Sequence, residues 1–136
     1  MQHWIKLVIF LLAAVLAGCA PEREYTDTLA MTAEDCGSRI HRWSVRSGDQ
    51  PTLEFENPTG DVYTWVLLGN VIQEPYDSSD LDGAYTTVEI PAGKKFSAPV
   101  AVPLAPGEYQ VLCGPSGALD GKVVSLLTVT LLEDNP

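Results

Sequence analysis

The sequence predicts an all-β fold, a Greek-key β-sandwich of about seven short strands. Three observations point there. Apolar and polar residues alternate with period two from His41 onward, clusters of Pro, Gly, Asp and Asn separate the alternating runs, and no run shows the 3.6-residue periodicity of an amphipathic helix. The chain has 136 residues, enough for one domain with a single core, and the sandwich is assigned to residues 36–136.

Each strand has its own justification. His41, Trp43 and Val45 share one face while Arg42, Ser44 and Arg46 share the other, giving a half-buried first strand. Ser47-Gly48-Asp49-Gln50-Pro51 is a turn, and Leu53 and Phe55 alternate with Glu54 and Glu56, so these two strands are expected to form a hairpin in which Arg42 and Arg46 face the glutamates. After the loop Asn57–Asp61, Val62–Leu68 is apolar on both faces and rich in β-branched and aromatic residues, as in a central strand. Tyr85–Ile90, Phe96–Val102, Glu108–Cys113 and Val123–Leu132 complete the set, divided by Pro91-Ala92-Gly93 and Pro103–Gly107. Trp43 and Trp65 are expected in the core.

The amino terminus speaks to location. Leu7–Leu16 is ten apolar residues, roughly 15 Å of helix against a hydrocarbon core of about 30 Å, so residues 1–18 read as a signal peptide rather than a membrane span. Leu16-Ala17-Gly18-Cys19 resembles the lipobox of bacterial lipoproteins. The resemblance implies cleavage before Cys19, acylation of Cys19, and lipid anchoring to a bacterial membrane; Ala20 after the cysteine points to the periplasmic side of the outer membrane in a Gram-negative cell. Residues 19–35 are polar and read as a lipidated tether holding the domain off the bilayer. The whole chain carries a formal charge of −10, which argues against nucleic-acid binding and leaves membrane attachment to the acyl chains.

Asn57 ahead of Tyr63-Thr64-Trp65-Val66-Leu67, then Pro106-Gly107-Glu108-Tyr109-Gln110-Val111-Leu112-Cys113, then Gly121-Lys122-Val123, resembles the cupredoxins of the azurin and plastocyanin branch over residues 39–132. The resemblance makes Tyr109 the corner tyrosine and Cys113 the position of the copper thiolate. A type 1 copper site needs two imidazoles, a thiolate and usually an axial thioether. Here the first histidine position holds Tyr63, the second falls at Ser116, and the axial position at Leu119 or Asp120; His41 and Met31 are the only histidine and methionine after residue 18. The expected cofactor is therefore none, with copper as the alternative.

Cys36 and Cys113 remain after acylation of Cys19. In the cupredoxin arrangement, with the expected hairpin, both lie at one end of the sandwich, so a Cys36–Cys113 disulfide in place of the metal is the favoured reading. Two free thiols, or a copper or zinc site made by Cys113, Cys36 and His41, are the alternatives. Elsewhere, Ser78, Asp80, Asp82, Gly83 and Glu89 follow part of an EF-hand count, but the flanking sequence leaves no room for its helices. A solvated acidic loop is the favoured reading, with calcium at Asp80, Asp82 and Glu89 as the alternative. Tyr76 and Tyr85 flank that loop as candidates for an exposed recognition surface. No nucleophile and base are paired by any motif, so the protein reads as a binding or structural module contacting another envelope component, not as an enzyme, with copper handling or electron transfer through an atypical thiolate site of Cys113 with Cys36 and His41 as the alternative.

Overall fold

In the computed structural model, residues 24–38, 41–69, 80–119 and 125–131 are described. The expected signal peptide over residues 1–18, Cys19, Tyr76, Ser78 and Asp120 lie outside them. Eight strands and one short helix run in the order β1 (Thr28–Thr32), α1 (Asp35–Ser38), β2 (His41–Arg46), β3 (Thr52–Asn57), β4 (Tyr63–Leu68), β5 (Ala84–Ile90), β6 (Lys94–Pro99), β7 (Gly107–Pro115) and β8 (Ser125–Thr130). A 3-10 turn over Asp80–Gly83 precedes β5. The strands form a three-stranded sheet, β1-β3-β6, and a five-stranded sheet, β2-β8-β7-β4-β5. The β1–β3 and β2–β8 pairs are parallel and the others antiparallel. The sandwich expectation holds, with the seven expected strands joined by β1.

Burial follows the period-two pattern. Leu29 and Met31 of β1, Leu53 and Phe55 of β3, Trp65 and Leu67 of β4, Val111 and Cys113 of β7, and Leu127 and Val129 of β8 meet between the sheets in one core. Val66, Leu68 and Leu112 form a smaller cluster that Leu81, Ala84 and Leu119 cover, which accounts for the unbroken apolar run in β4. Trp65 is fully buried and Trp43 half-buried against the main core.

Two expectations are corrected. The polar stretch through Asp35 is not a tether throughout. Thr28–Thr32 is a paired strand, and its inward Leu29 and Met31 are 0% and 3% exposed, so the folded domain begins well before residue 36. Even before β1 the chain is held: the Thr26 N–H donates to the Ser44 carbonyl, and the Arg46 guanidinium stacks 4.6 Å above the Tyr25 ring. A strand of five residues with only two inward side chains is too short a signal to stand out from polar surroundings.

The second correction concerns β2 and β3, which lie in different sheets rather than in a hairpin. The Ser47–Pro51 turn, with Gly48 at φ 85°, carries the chain across the sandwich. Arg46 therefore meets Tyr25, while Glu56 lies 3.7 Å from Lys95 of β6. Alternation reveals which side of a strand is buried but not which sheet it joins.

The register defines two ends. Arg46 pairs with Thr130 and Gly107 with Val129 at the lower end, and Tyr63 pairs with Pro115 and Ile90 at the upper end. Because Leu29 fills the core, Leu29→Ala should lower the unfolding free energy by about 2–5 kcal/mol. A urea denaturation curve measures this, and a tether residue in its place would give no change.

Candidate functional site

The upper end gathers most of the residues singled out in the sequence. Cys113 lies in the last part of β7, 2% exposed and directly opposite Trp65 of β4. It forms a disulfide with Cys36 of α1, with Cα atoms 5.3 Å apart. The bond ties the β1–β2 connection, which leaves the three-stranded sheet, to an inner strand of the five-stranded sheet.

Local sequence positions Cys36. Thr32-Ala33-Glu34-Asp35 is a capping box: the Thr32 N–H donates to Asp35 Oδ2 at 2.9 Å and the Asp35 N–H donates to Thr32 Oγ1 at 3.4 Å. The turn is closed further by the Cys36 N–H donating to the Ala33 carbonyl at 3.3 Å. This fixes the direction in which α1 leaves β1 and brings Cys36 over the sheet end.

His41 reaches the same region. Its ring stacks on Trp43 with centroids 5.3 Å apart, and Nε2 lies 3.4 Å from Asp35 Oδ2, within ion-pair reach but not aligned as a hydrogen bond. Burial raises the Asp35 carboxyl pKa, but the Thr32 N–H and hydroxyl and the neighbouring His41 ring outweigh it and hold the group below its ordinary value.

The remaining positions are occupied as follows. Tyr63 is half-buried and packs its ring against Phe55 at 6.2 Å. Ser116 is exposed, and its hydroxyl shares a 2.6 Å hydrogen bond with Thr64 while its N–H donates to the Val62 carbonyl. Leu119 is half-buried and folds back over Gly114, where a side chain larger than hydrogen would meet Leu119 Cδ2 at 3.4 Å. Among the described residues, no group of three or more His, Cys, Asp and Glu side chains is placed to hold a metal ion.

Asn57, noted in the sequence only as part of a resemblance, proves to organise the end of the sandwich. Fully buried, it donates through Nδ2 to the Asp61 carbonyl at 2.8 Å and the Pro91 carbonyl at 3.1 Å, and accepts through Oδ1 from the Thr59 N–H and hydroxyl. One side chain thereby joins the β3–β4 and β5–β6 loops. Its place between an alternating strand and Pro58-Thr59-Gly60 is the sequence signal for this Asx-turn role.

The calcium alternative is not assembled. Glu89 is near the upper end of β5, opposite Thr64, whereas Asp82 precedes the strand at its lower end. The extended run from Ala84 to Glu89 alone spans roughly 17 Å, far beyond a shared ion. Tyr85 is exposed, as expected of a surface residue. An open depression of about 490 Å³ lies on the outer face of the three-stranded sheet, lined by Ala30, Glu54, Glu56, Lys95 and Ser97 among others.

At the other end, Tyr109 Oη donates to the Ala105 carbonyl at 2.7 Å, the corner that β7 was expected to carry. This corner, the mixed pairing of the two sheets and the β4–β7–β8 order accord with the expected cupredoxin-like β-sandwich. Among solved structures, the chain is similar to sodium-dithionite-reduced auracyanin from the photosynthetic bacterium Roseiflexus castenholzii. The match covers 79% of this chain and 99% of that one at 14% identity, with a TM-score of 0.51. That likeness shows the fold. No family model and no curated protein matches the chain.

Two predictions follow from the crosslink and the capping box. The disulfide closes a sequence separation of 77 residues, for which the chain-entropy model gives about 4 kcal/mol. The Cys36→Ser, Cys113→Ser double variant should lose stability of that order in chemical denaturation, and thiol titration of the denatured parent should find neither cysteine free. Asp35 has a folded pKa below its unfolded value of 3.8, so its contribution to stability is present above that value and is lost as pH falls through the folded one. Asp35→Asn should be less stable than the parent at neutral pH, and the gap should close in acid.

Proposed function

We propose that this chain is a cell-envelope lipoprotein, anchored through Cys19, whose cupredoxin-like domain is a binding or structural module rather than an enzyme or a type 1 copper protein. The observation that carries this reading is the use of Cys113 in a disulfide with Cys36. In the position that the resemblance gives to a copper thiolate, the sulfur is already covalently bonded. Tyr63 and Ser116 offer a phenol and a hydroxyl engaged in local packing and hydrogen bonding, and Leu119 offers a hydrocarbon. These groups do not fit a blue-copper ion, which needs imidazole nitrogen and soft sulfur together.

A rigid sandwich presents its loops for recognition, and here the upper-end loops are braced by the disulfide and by Asn57. Another envelope component docking there is the partner class that this reading implies. The anchor accords with a place on the periplasmic side of the outer membrane in a Gram-negative cell.

A second reading, copper handling, draws on one observation. His41 is held beside Asp35, the residue next to Cys36, so reduction of the disulfide would leave two thiols and an imidazole in one neighbourhood. Copper loading separates the two readings. Natively purified protein mixed with Cu(II) should show no intense visible absorption from thiolate-to-copper charge transfer, and after reduction it should retain no Cu(I) through gel filtration against a competing chelator. An intense visible band, or stoichiometric retained copper that Cys113→Ser abolishes, would replace the binding-module reading with the copper one.

A further inference from the structure

Large apolar side chains are exposed unevenly. Among the described residues those exposed are Tyr25, Val62, Tyr85, Leu104 and Leu131, at 37%, 43%, 47%, 67% and 60%. Val62 alone lies at the upper end, where its carbonyl accepts from Ser116. The others lie at the lower end. Leu131 follows Thr130, the last residue of β8, and Thr130 Oγ1 donates to Tyr25 Oη at 3.0 Å. The Ser47 N–H donates to the Thr130 carbonyl and the Ser47 hydroxyl to the Leu104 carbonyl at 2.7 Å, which brings Leu104 beside them. Tyr85 is the second residue of β5, and the neighbouring Thr86 hydroxyl donates to the Ala101 carbonyl in the segment leading to Leu104.

The amino-terminal chain enters at this same end. Tyr25 is held under Arg46, and Glu24 is only five residues along the chain from the lipobox cysteine, Cys19. Fully extended, that stretch reaches at most roughly 18 Å. The lower end of the sandwich thus cannot stand far from whatever holds Cys19, while Cys113 lies a further ~20 Å up β7.

We infer that the lower end is a bilayer-facing surface, on which Leu104 and Leu131 meet the acyl and headgroup boundary, flanked by Tyr25 and Tyr85 at headgroup depth. This rests on the anchored-lipoprotein reading. Leucines beside amphipathic tyrosines suit an interface that is apolar on one side and wet on the other. Arg46 adds one cation, but Glu24, Asp27, Asp49, Asp80 and Asp82 stand on the same end, so the surface fits zwitterionic rather than anionic lipid and relies on the acyl anchor for its affinity. The disulfide end then points away from the membrane.

The test uses the full-length protein, purified with its native anchor and reconstituted into vesicles of phosphatidylcholine carrying brominated acyl chains. Tryptophan is introduced separately at Leu104→Trp, Leu131→Trp and Val62→Trp, all exposed positions, and the parent's emission is subtracted. The first two should lose about half of their added emission, as expected for insertion about 5–10 Å deep, and Val62→Trp should lose none. Equal quenching at all three positions, or none at Leu104 and Leu131 in acylated protein, overturns the bilayer-facing surface; the latter result leaves solvent or a protein as its occupant. Intact mass on the same sample reads the anchor: an unmodified Cys19 overturns the lipoprotein reading and this surface with it, a result distinct from acylated but unquenched protein.

Discussion

The covalent bond between Cys36 and Cys113 is the constraint on which the upper end depends. Without it, the β1–β2 connection would be held only through β1 and β2, an edge strand of each sheet. Once formed, it joins that connection to β7, which lies between β8 and β4 in the larger sheet. The capping box aims Cys36, β7 supplies a buried partner, and His41 and Asp35 come together as a consequence of the same turn. In a domain of this size, with a short first strand, the ~4 kcal/mol that closing so long a loop removes from the unfolded chain's entropy is small beside the whole but a large share of the net stability of a small domain.

The two ends of the sandwich are built from different chemistry. At the upper end the carbonyls of two loops converge on the Asn57 amide, Ser116 and Thr64 share a hydroxyl bond, and the disulfide is buried beneath. At the lower end Tyr109 closes the corner from inside, but Leu104 and Leu131 remain in solvent. Polar groups with satisfied partners suit an end that stays in water and presents fixed loops. Uncovered hydrocarbon beside the chain's point of entry suits an end that does not. On the proposed reading, one end faces the anchor and the other a partner, an arrangement that accords with the side chains each set of loops carries.

Much of the architecture was legible because alternation is a local property. Trp43–Val45, Leu53–Phe55 and Val62–Leu68 announce strands through their own periodicity, and the turn residues between them mark reversals of direction. Direction alone sufficed to bring Cys36 and Cys113 to the same end, since reversal at Ser47–Pro51 places the start of β2 beside the end of β3 whether the two pair in one sheet or face each other across the core. That is why the disulfide was correctly expected on the basis of a hairpin that does not exist. The strand β1 carries no such mark, because two inward residues, Leu29 and Met31, are too few to establish a period.

By itself the sequence determined the class of fold, the upper-end position of the cysteines, and the side chains standing where the resemblance places copper ligands, because these depend on residue type and order. Tertiary structure alone decided that Thr28–Thr32 belongs to the core, that β2 and β3 separate into different sheets, and that Asn57 joins two loops. It also decided that Tyr25, Tyr85, Leu104 and Leu131, scattered along the chain, share one end. The physical reason is the same in each case: pairing and burial link residues far apart in sequence, and an isolated leucine or asparagine carries no local mark of the neighbour it will meet.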